Sequence, residues 1–206
     1  MPLRATAERA REREPDATRR AILGAAESLL ASGGAEGLSI RELCARAGVS
    51  PPTIYHHFGD KEALVERVVD TCFAEFDRAL GRRRAPRDPV EALRWAFDRY
   101  LEYGLTHPTH YRLMFQRTAA RRSTVGLASY DRLRRMVAAV DVAGRLVVPV
   151  EAATRACWCT AHGVTSLLVG GYFDAEDPAV ALVRDGLIAH ITTPPPRPTR
   201  QKRSSR

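Results

Sequence analysis

Apolar residues recur along this 206-residue chain at spacings of three and four, the period of a helix that buries one face. Ile22, Ala25, Ala26, Leu29 and Leu30 form one such stripe and predict a helix over about 17–32, stopped by Ser32-Gly33-Gly34. Leu64, Val65, Val68, Cys72 and Phe76 predict a long helix from about 61 to 80. Leu93, Ala96, Phe97, Tyr100, Leu101 and Gly104 predict another, capped by Asp88-Pro89 and broken at His107-Pro108. His110 to Phe115 reads as a short helical turn, Arg117–Thr124 as an exposed loop, and about 124–146, 149–170 and 178–191 as three further helices. No segment alternates with period two. The fold class is therefore all-α: an N-terminal three-helix domain joined through one long helix to a C-terminal helical bundle.

Between the first and the long helix lie two short ones. Ser39 followed by Glu42 is a capping box, and that helix ends at Gly48, where a tight turn needs a positive φ. Ser50 with Pro51 opens the next, which ends near Phe58-Gly59, and Asp60 caps the long helix. Ile40, Leu43, Cys44 and Ala47 give the first short helix a buried side. Ala45 is small where the second helix is expected to pass, Val49 fills the angle between them, and Ile54 and Phe58 seat the second helix. This is a helix-turn-helix. Ser50, Pro51, Pro52, Thr53, Tyr55, His56 and His57 are left facing outward. The leading end of such a helix enters the major groove, so Ser50, Pro51 and Pro52 are expected at base edges, with the proline rings suited to thymine methyls. The hydroxyls and imidazoles suit phosphates, and Arg41 suits bidentate contact with guanine, although a salt-bridged or solvated arginine is an alternative for it.

Charge changes this picture less than the net +8 suggests. Residues 1–60 carry eight basic and eight acidic side chains. The excess lies in the stretch 112–135 and in the tail, where Arg197, Arg200, Lys202, Arg203 and Arg206 meet no acid. The spacing, not the bulk charge, carries the DNA-binding reading. Residues 1–16 read as a flexible basic arm, 17–62 as the DNA-binding domain, 63–192 as a ligand-binding and dimerisation domain, and 193–206 as a disordered basic tail. No run of about 18 apolar residues exists to span a bilayer, and the first residues lack the apolar segment of a secretory signal. A cytoplasmic protein with no membrane partner is expected. The four cysteines lie within helical patterns and read as reduced thiols. No glycine-rich phosphate loop, activated serine, paired-carboxylate cluster or HExxH motif nominates a catalytic residue. An enzyme is thus disfavoured, no cofactor is expected, and a non-specific architectural DNA-binding protein is the nearer alternative.

Leu38-Ser39-Ile40, Ala47-Gly48-Val49-Ser50, Thr53 to Phe58 and Lys61-Glu62-Ala63-Leu64 together resemble the TetR family over about residues 17–65. The resemblance implies a DNA-binding transcriptional regulator, by family habit a repressor, acting as a homodimer on a palindromic operator. It implies that Ser39, Thr53, Tyr55 and Lys61 anchor phosphates, and that Arg41, Ser50, Pro51, Pro52 and His56 read bases or their flanks. The Pro51-Pro52 pair departs from the usual pattern, in which one polar residue is common.

His107 to Phe115 and Trp158 to Leu168 resemble the WHG-type C-terminal domain of one branch of these regulators. That implies dimerisation and a pocket for a small-molecule effector that shifts the protein between DNA-competent and incompetent states. Trp95, Tyr103, Tyr111, Met114, Phe115, Trp158 and His162 are the expected pocket residues, with a plain hydrophobic core as the alternative. Ala156, Val164, Leu167, Leu168, Val180, Leu182, Leu187 and Ile188 are the expected dimer face, unless they bury within one chain. His107, His110, Cys157, Cys159 and His162 suggest a metal only as a list. Cys157 and Cys159 point about 200° apart on a helix, and no metal site is expected.

Overall fold

The computed structural model describes the backbone of residues 3–33, 38–115 and 124–193, and the side chains of 17–32, 38–115 and 127–193. Among these residues it contains nine helices: α1 (Leu3–Gly33), α2 (Ile40–Ala47), α3 (Pro51–Phe58), α4 (Lys61–Gly81), α5 (Pro89–Thr106), α6 (Pro108–Met114), α7 (Thr124–Val142), α8 (Val150–Val169) and α9 (Pro178–Ile191). The only bridge between extended residues described is a single antiparallel one, Leu146 to Thr192. The chain folds into two compact units, one made of Met1–Arg82 with Tyr103–Ser129, the other of Arg83–Glu102 with Tyr130–Arg206.

In the first unit α1 packs against α2, α4 and α6, and α3 against α2 and α4. The predicted stripe supplies its share of the core: Ile22, Ala26, Leu29 and Leu30 are buried, and so are Leu38, Leu43, Ile54 and Leu64. The lower part of α4 buries Cys72, Phe73 and Phe76, and α6 buries Tyr111, Leu113 and Met114. Aromatic edges interlock there, Phe76 on Tyr103 at 5.1 Å and Phe73 on Phe115 at 6.0 Å between ring centroids.

The second unit has two apolar clusters. Val90, Leu93, Val137, Val140, Ala153, Cys157, Ile188 and Ile191 form one. Phe97, Leu101, Ala161, Val164, Leu168 and Val180 form the other. Ion pairs lace their rim: Arg94 with Asp185 at 3.0 Å, Arg184 with Asp98 at 2.6 Å, and Arg145 with Asp88 at 2.6 Å.

Three expectations need correction. The first helix begins at Leu3, so residues 3–16 of the stretch read as a flexible arm have helical backbone; their Arg, Ala and Glu residues are strong helix formers even without an apolar stripe. The boundary expected at 62/63 does not separate the units, because α4 and α6 both belong with the helix-turn-helix, whose core they complete. The helix expected over 124–146 stops at Val142, since Gly144 adopts φ +66° and lets the Arg145 N–H donate back to Val140 at 3.1 Å. The basic tail beyond Thr193 and the loop at 117–123 lie outside the described residues. Thr193 itself is tied down, its N–H donating to the Arg145 carbonyl at 2.9 Å.

Candidate nucleic-acid interface

The helix-turn-helix is fixed by its ends. Ser39 has extended backbone, and its Oγ accepts the Glu42 N–H at 3.4 Å, as the capping box predicts. Leu43 faces the core with no exposed surface, and Gly48 ends α2 at φ +66° while the Val49 N–H donates to the Cys44 carbonyl at 3.1 Å. A side chain at Gly48 would hold the left-handed backbone at a cost of about 1–2 kcal/mol. Ile54 anchors α3 beneath, fully buried. Gly59, at φ +84°, turns the chain into α4, where the Asp60 carboxylate accepts the Ala63 N–H at 2.7 Å. An apolar pin and two glycine turns thus hold a helix of eight residues in one orientation.

That orientation leaves Ser50, Pro51, Pro52, Tyr55 and His56 exposed, Tyr55 at 48% of its surface. Thr53, His57 and Lys61 are half-buried. Ser50 makes no side-chain cap; its Oγ lies 3.0 Å from the Thr53 Oγ1, and the Thr53 N–H donates to the Ser50 carbonyl at 3.0 Å. Pro51 and Pro52 have no N–H at all. The tip of α3 therefore offers two apolar rings and a hydroxyl pair rather than free backbone donors. His56 and His57 meet edge to face at 5.4 Å. Arg41 and Ser39 are exposed on α2, and no ion pair holds Arg41 among the described residues. The sequence-predicted DNA residues are thus exposed or half-buried, and Pro51, Pro52, Tyr55 and His56 form one accessible strip of α3.

Two supports of this strip escaped the sequence reading. Arg46 donates to Glu42 at 2.9 Å and to the Ser28 hydroxyl of α1 at 3.0 Å, which ties α2 to α1. Arg19 of α1 lies over the Phe58 ring at 5.7 Å, a cation–π contact to the end of α3. Ser28 and Phe58 lie far in sequence from Arg46 and Arg19, so spacing within either helix carries no signal of these two contacts. Ala45, expected at a close approach, is exposed instead.

The expected effector residues divide between the units. Tyr103, Tyr111 and Met114 are buried in the core of the first, beside half-buried Phe115. Trp95, Trp158 and His162 belong to the second. There Trp158 meets Tyr130 edge to face at 6.0 Å and tilts against His162 at 6.2 Å, and the Tyr100 hydroxyl lies 3.5 Å from His162 Nδ1. Burial pushes the His162 pKa down, so the ring is neutral at pH 7. Tyr100 and Tyr130 were not among the expected residues, although Tyr100 lay in the predicted α5 stripe.

The expected dimer face also divides. Val164, Leu168, Val180 and Ile188 are buried in the clusters of their own unit, and Ala156 and Leu187 are half-buried. The period of α8 and α9 marks both sides of each helix as apolar, and the inward side is claimed by the monomer core. Leu167 and Leu182 remain outward, 44% and 74% exposed, with Val183 beside Leu182 at 43%. Among the thiols, Cys157 is buried and pushed up to about 11, while Cys159 is exposed. No group of three metal-ligating side chains occurs among the described residues.

Comparison with known proteins covers both parts of the chain. A family model described as bacterial regulatory proteins of the tetR family matches residues 22–68, and a model of the tetracyclin repressor-like C-terminal domain matches 93–190. The transcriptional regulator UidR of Escherichia coli K12 is 33% identical over 97 residues, 47% of this chain and 45% of that protein. The transcriptional repressor Rv3405c of Mycobacterium tuberculosis H37Rv is 39% identical over 80 residues, 39% of this chain and 40% of that one. The chain thus spans less than half the length of these curated relatives. Among solved structures, a Rhodococcus sp. RHA1 protein of unknown function superposes with TM-score 0.71 at 26% identity, over 85% of this chain and 96% of that one. A tetR-family regulator from Shewanella sp. PV-4 gives 0.70 at 21% identity, over 86% and 99%, and shares the fold.

Proposed function

We propose, for a chain that belongs to the tetR family of bacterial regulatory proteins, a DNA-binding transcriptional repressor that reads a palindromic operator as a homodimer. One observation carries this reading: α3 is pinned by Ile54 between two glycine turns of positive φ and turns Pro51, Pro52, Tyr55 and His56 outward in one strip. A rigid helix with an accessible leading end is what insertion into a major groove requires. Tyr55, Thr53, His57, Lys61 and Ser39 flank that end and suit phosphates, which position the head; Arg41, His56 and the proline rings suit base edges, which specify the site. The repressor assignment is supported by Rv3405c, which carries that description. With DNA as its target the protein acts in the cytoplasm, by binding rather than by catalysis.

One head reads few base pairs, so specificity calls for two, set about 34 Å apart along the duplex. Outward Leu167 and Leu182 on α8 and α9 support a two-fold contact there. A small-molecule effector is supported by the aromatic group around Trp158 and His162, where apolar ring faces meet an imidazole and a tyrosine hydroxyl. Trp95 and Trp158 are the chain's two tryptophans, so a screen by tryptophan fluorescence reads the second unit, which holds both.

Footprinting on the DNA flanking the protein's own gene tests the central reading. The expected result is protection of a palindrome and about 10³-fold or greater preference for it over random duplex. Binding without that preference would overturn specific regulation in favour of an architectural role.

A further inference from the structure

The first unit holds a group of titratable side chains with no part in the DNA strip. His110 of α6 places Nε2 2.6 Å from Glu27 Oε1 of α1, and Nδ1 3.3 Å from Glu75 Oε2 of α4. The Tyr103 hydroxyl, from the end of α5, lies 3.2 Å from the same Nδ1 and 3.4 Å from the Cys72 carbonyl. The imidazole is 16% exposed, whereas Glu27 and Glu75 are 34% and 41% exposed and keep contact with solvent.

Only an imidazolium satisfies this arrangement, since it donates from both nitrogens, one toward each carboxylate. A neutral ring keeps one N–H for Glu27 and accepts the Tyr103 hydroxyl at Nδ1, but its lone pair then stands beside the Glu75 oxygen. It also leaves two carboxylates facing one pocket without a cation between them. Among the described residues, the ion pairs of Glu27 and Glu75 are those with His110. His107 stacks on Tyr103 at 4.6 Å and lies 5.8 Å from His110 between ring centroids. Burial pushes the Cys72 thiol up to about 12, so it stays neutral. Arg78 of α4 acts on Tyr103, whose own hydroxyl is held protonated by burial.

We propose that Glu27, His110 and Glu75 form a proton-operated latch, which clamps α6 to α1 and α4 when His110 is protonated and loosens it when His110 is neutral. Because α1 also braces α2 through Arg46 and α3 through Arg19, loosening it leaves the helix-turn-helix less ordered before it meets DNA. Operator affinity then falls as the pH rises, a consequence that rests on the DNA-binding reading above.

The titration agrees in direction. The hydrogen bond to Glu27 raises the His110 pKa above its ordinary 6.5, and the same bond lowers Glu27 below its ordinary 4.5. A raised histidine stabilises the folded unit fully below 6.5 and loses that contribution as the pH climbs through the raised value. The lowered carboxylate contributes above 4.5 and loses it on acidification. The latch is closed between these limits.

Hydrogen exchange of the full chain tests it directly. Protection factors of the α6 amides, corrected for intrinsic exchange, are expected to fall by up to about tenfold per pH unit between 6.5 and the raised His110 value, and to level off above it. His110→Gln and Glu75→Gln are each expected to flatten that slope. Glu75 is the more exposed partner, so its variant folds even where the His110 variant fails. Protection that is flat with pH in the wild type, or an unchanged slope in Glu75→Gln, overturns the latch. Operator affinity is measured on the same proteins, with His56 and His57 left intact. A wild-type pH slope in α6 protection with no difference in affinity slope between wild type and Glu75→Gln overturns the coupling to DNA. An α6 slope that Glu75→Gln flattens, in a protein that prefers no operator, supports the latch and overturns the DNA-binding reading instead.

Discussion

His110 and His162 are both partly buried histidines on helices, yet the two units treat them in opposite ways. In the first unit two carboxylates surround the ring, and the hydrogen bond to Glu27 raises its pKa. In the second, aromatic rings and one tyrosine hydroxyl surround it, and burial lowers its pKa. The first environment uses charge to join helices; the second excludes charge and keeps an apolar niche. The residue type alone therefore says little about a histidine's role, because its neighbours decide which protonation state is stable. The same contrast runs through the units at large. The first turns Tyr55 and His56 outward along α3, and the second gathers Tyr130 and His162 around Trp158.

The hardest test of this division is Ile54→Ala. Emptying a fully buried site is expected to cost about 3 kcal/mol of first-unit stability and to abolish operator binding, while tryptophan fluorescence, which reads only the second unit, stays unchanged. A change in that fluorescence would break the division. Next in size is His110→Ala, which leaves Glu27 and Glu75 without their shared cation. A loss of about 2 kcal/mol is expected in chemical denaturation at pH 6, discounted for the exposure of both acids, and a smaller one at pH 8.5.

The histidines also predict opposite pH responses. His162, with a lowered pKa, opposes folding once the pH drops below 6.5, so α8 amides gain protection as the pH rises through that value. The α6 amides lose protection on the further rise. His162→Phe is expected to remove the first response and leave the second.

On the DNA face, Tyr55→Ala or Lys61→Ala is expected to weaken binding to every sequence by about tenfold, while Arg41→Ala relaxes preference at one base pair by about 1–3 kcal/mol in competition assays. The smallest effect is at the prolines. Replacing operator thymines by deoxyuridine removes one methyl each, and about a fourfold loss is expected at the position facing Pro51 or Pro52, absent from the Pro51→Ala/Pro52→Ala double variant.

Helix periodicity, the caps at Ser39, Asp60 and Asp88, and the turn at Gly48 were all legible in the chain, because each depends on residues within a few positions of one another. The outward strip of α3 followed from the same local geometry. Which side of a two-sided apolar helix meets solvent did not, so Val164, Leu168, Val180 and Ile188 were placed on a surface that the monomer core had already claimed. Nor did the boundary between units, since α6 joins α1 and α4 across a long stretch of chain. By itself the sequence determined the helices and which face of α3 is exposed. Only the tertiary structure decided what lies beside His110 and His162, because a carboxylate that sets a pKa can arrive from anywhere in the chain and leaves no mark in the spacing.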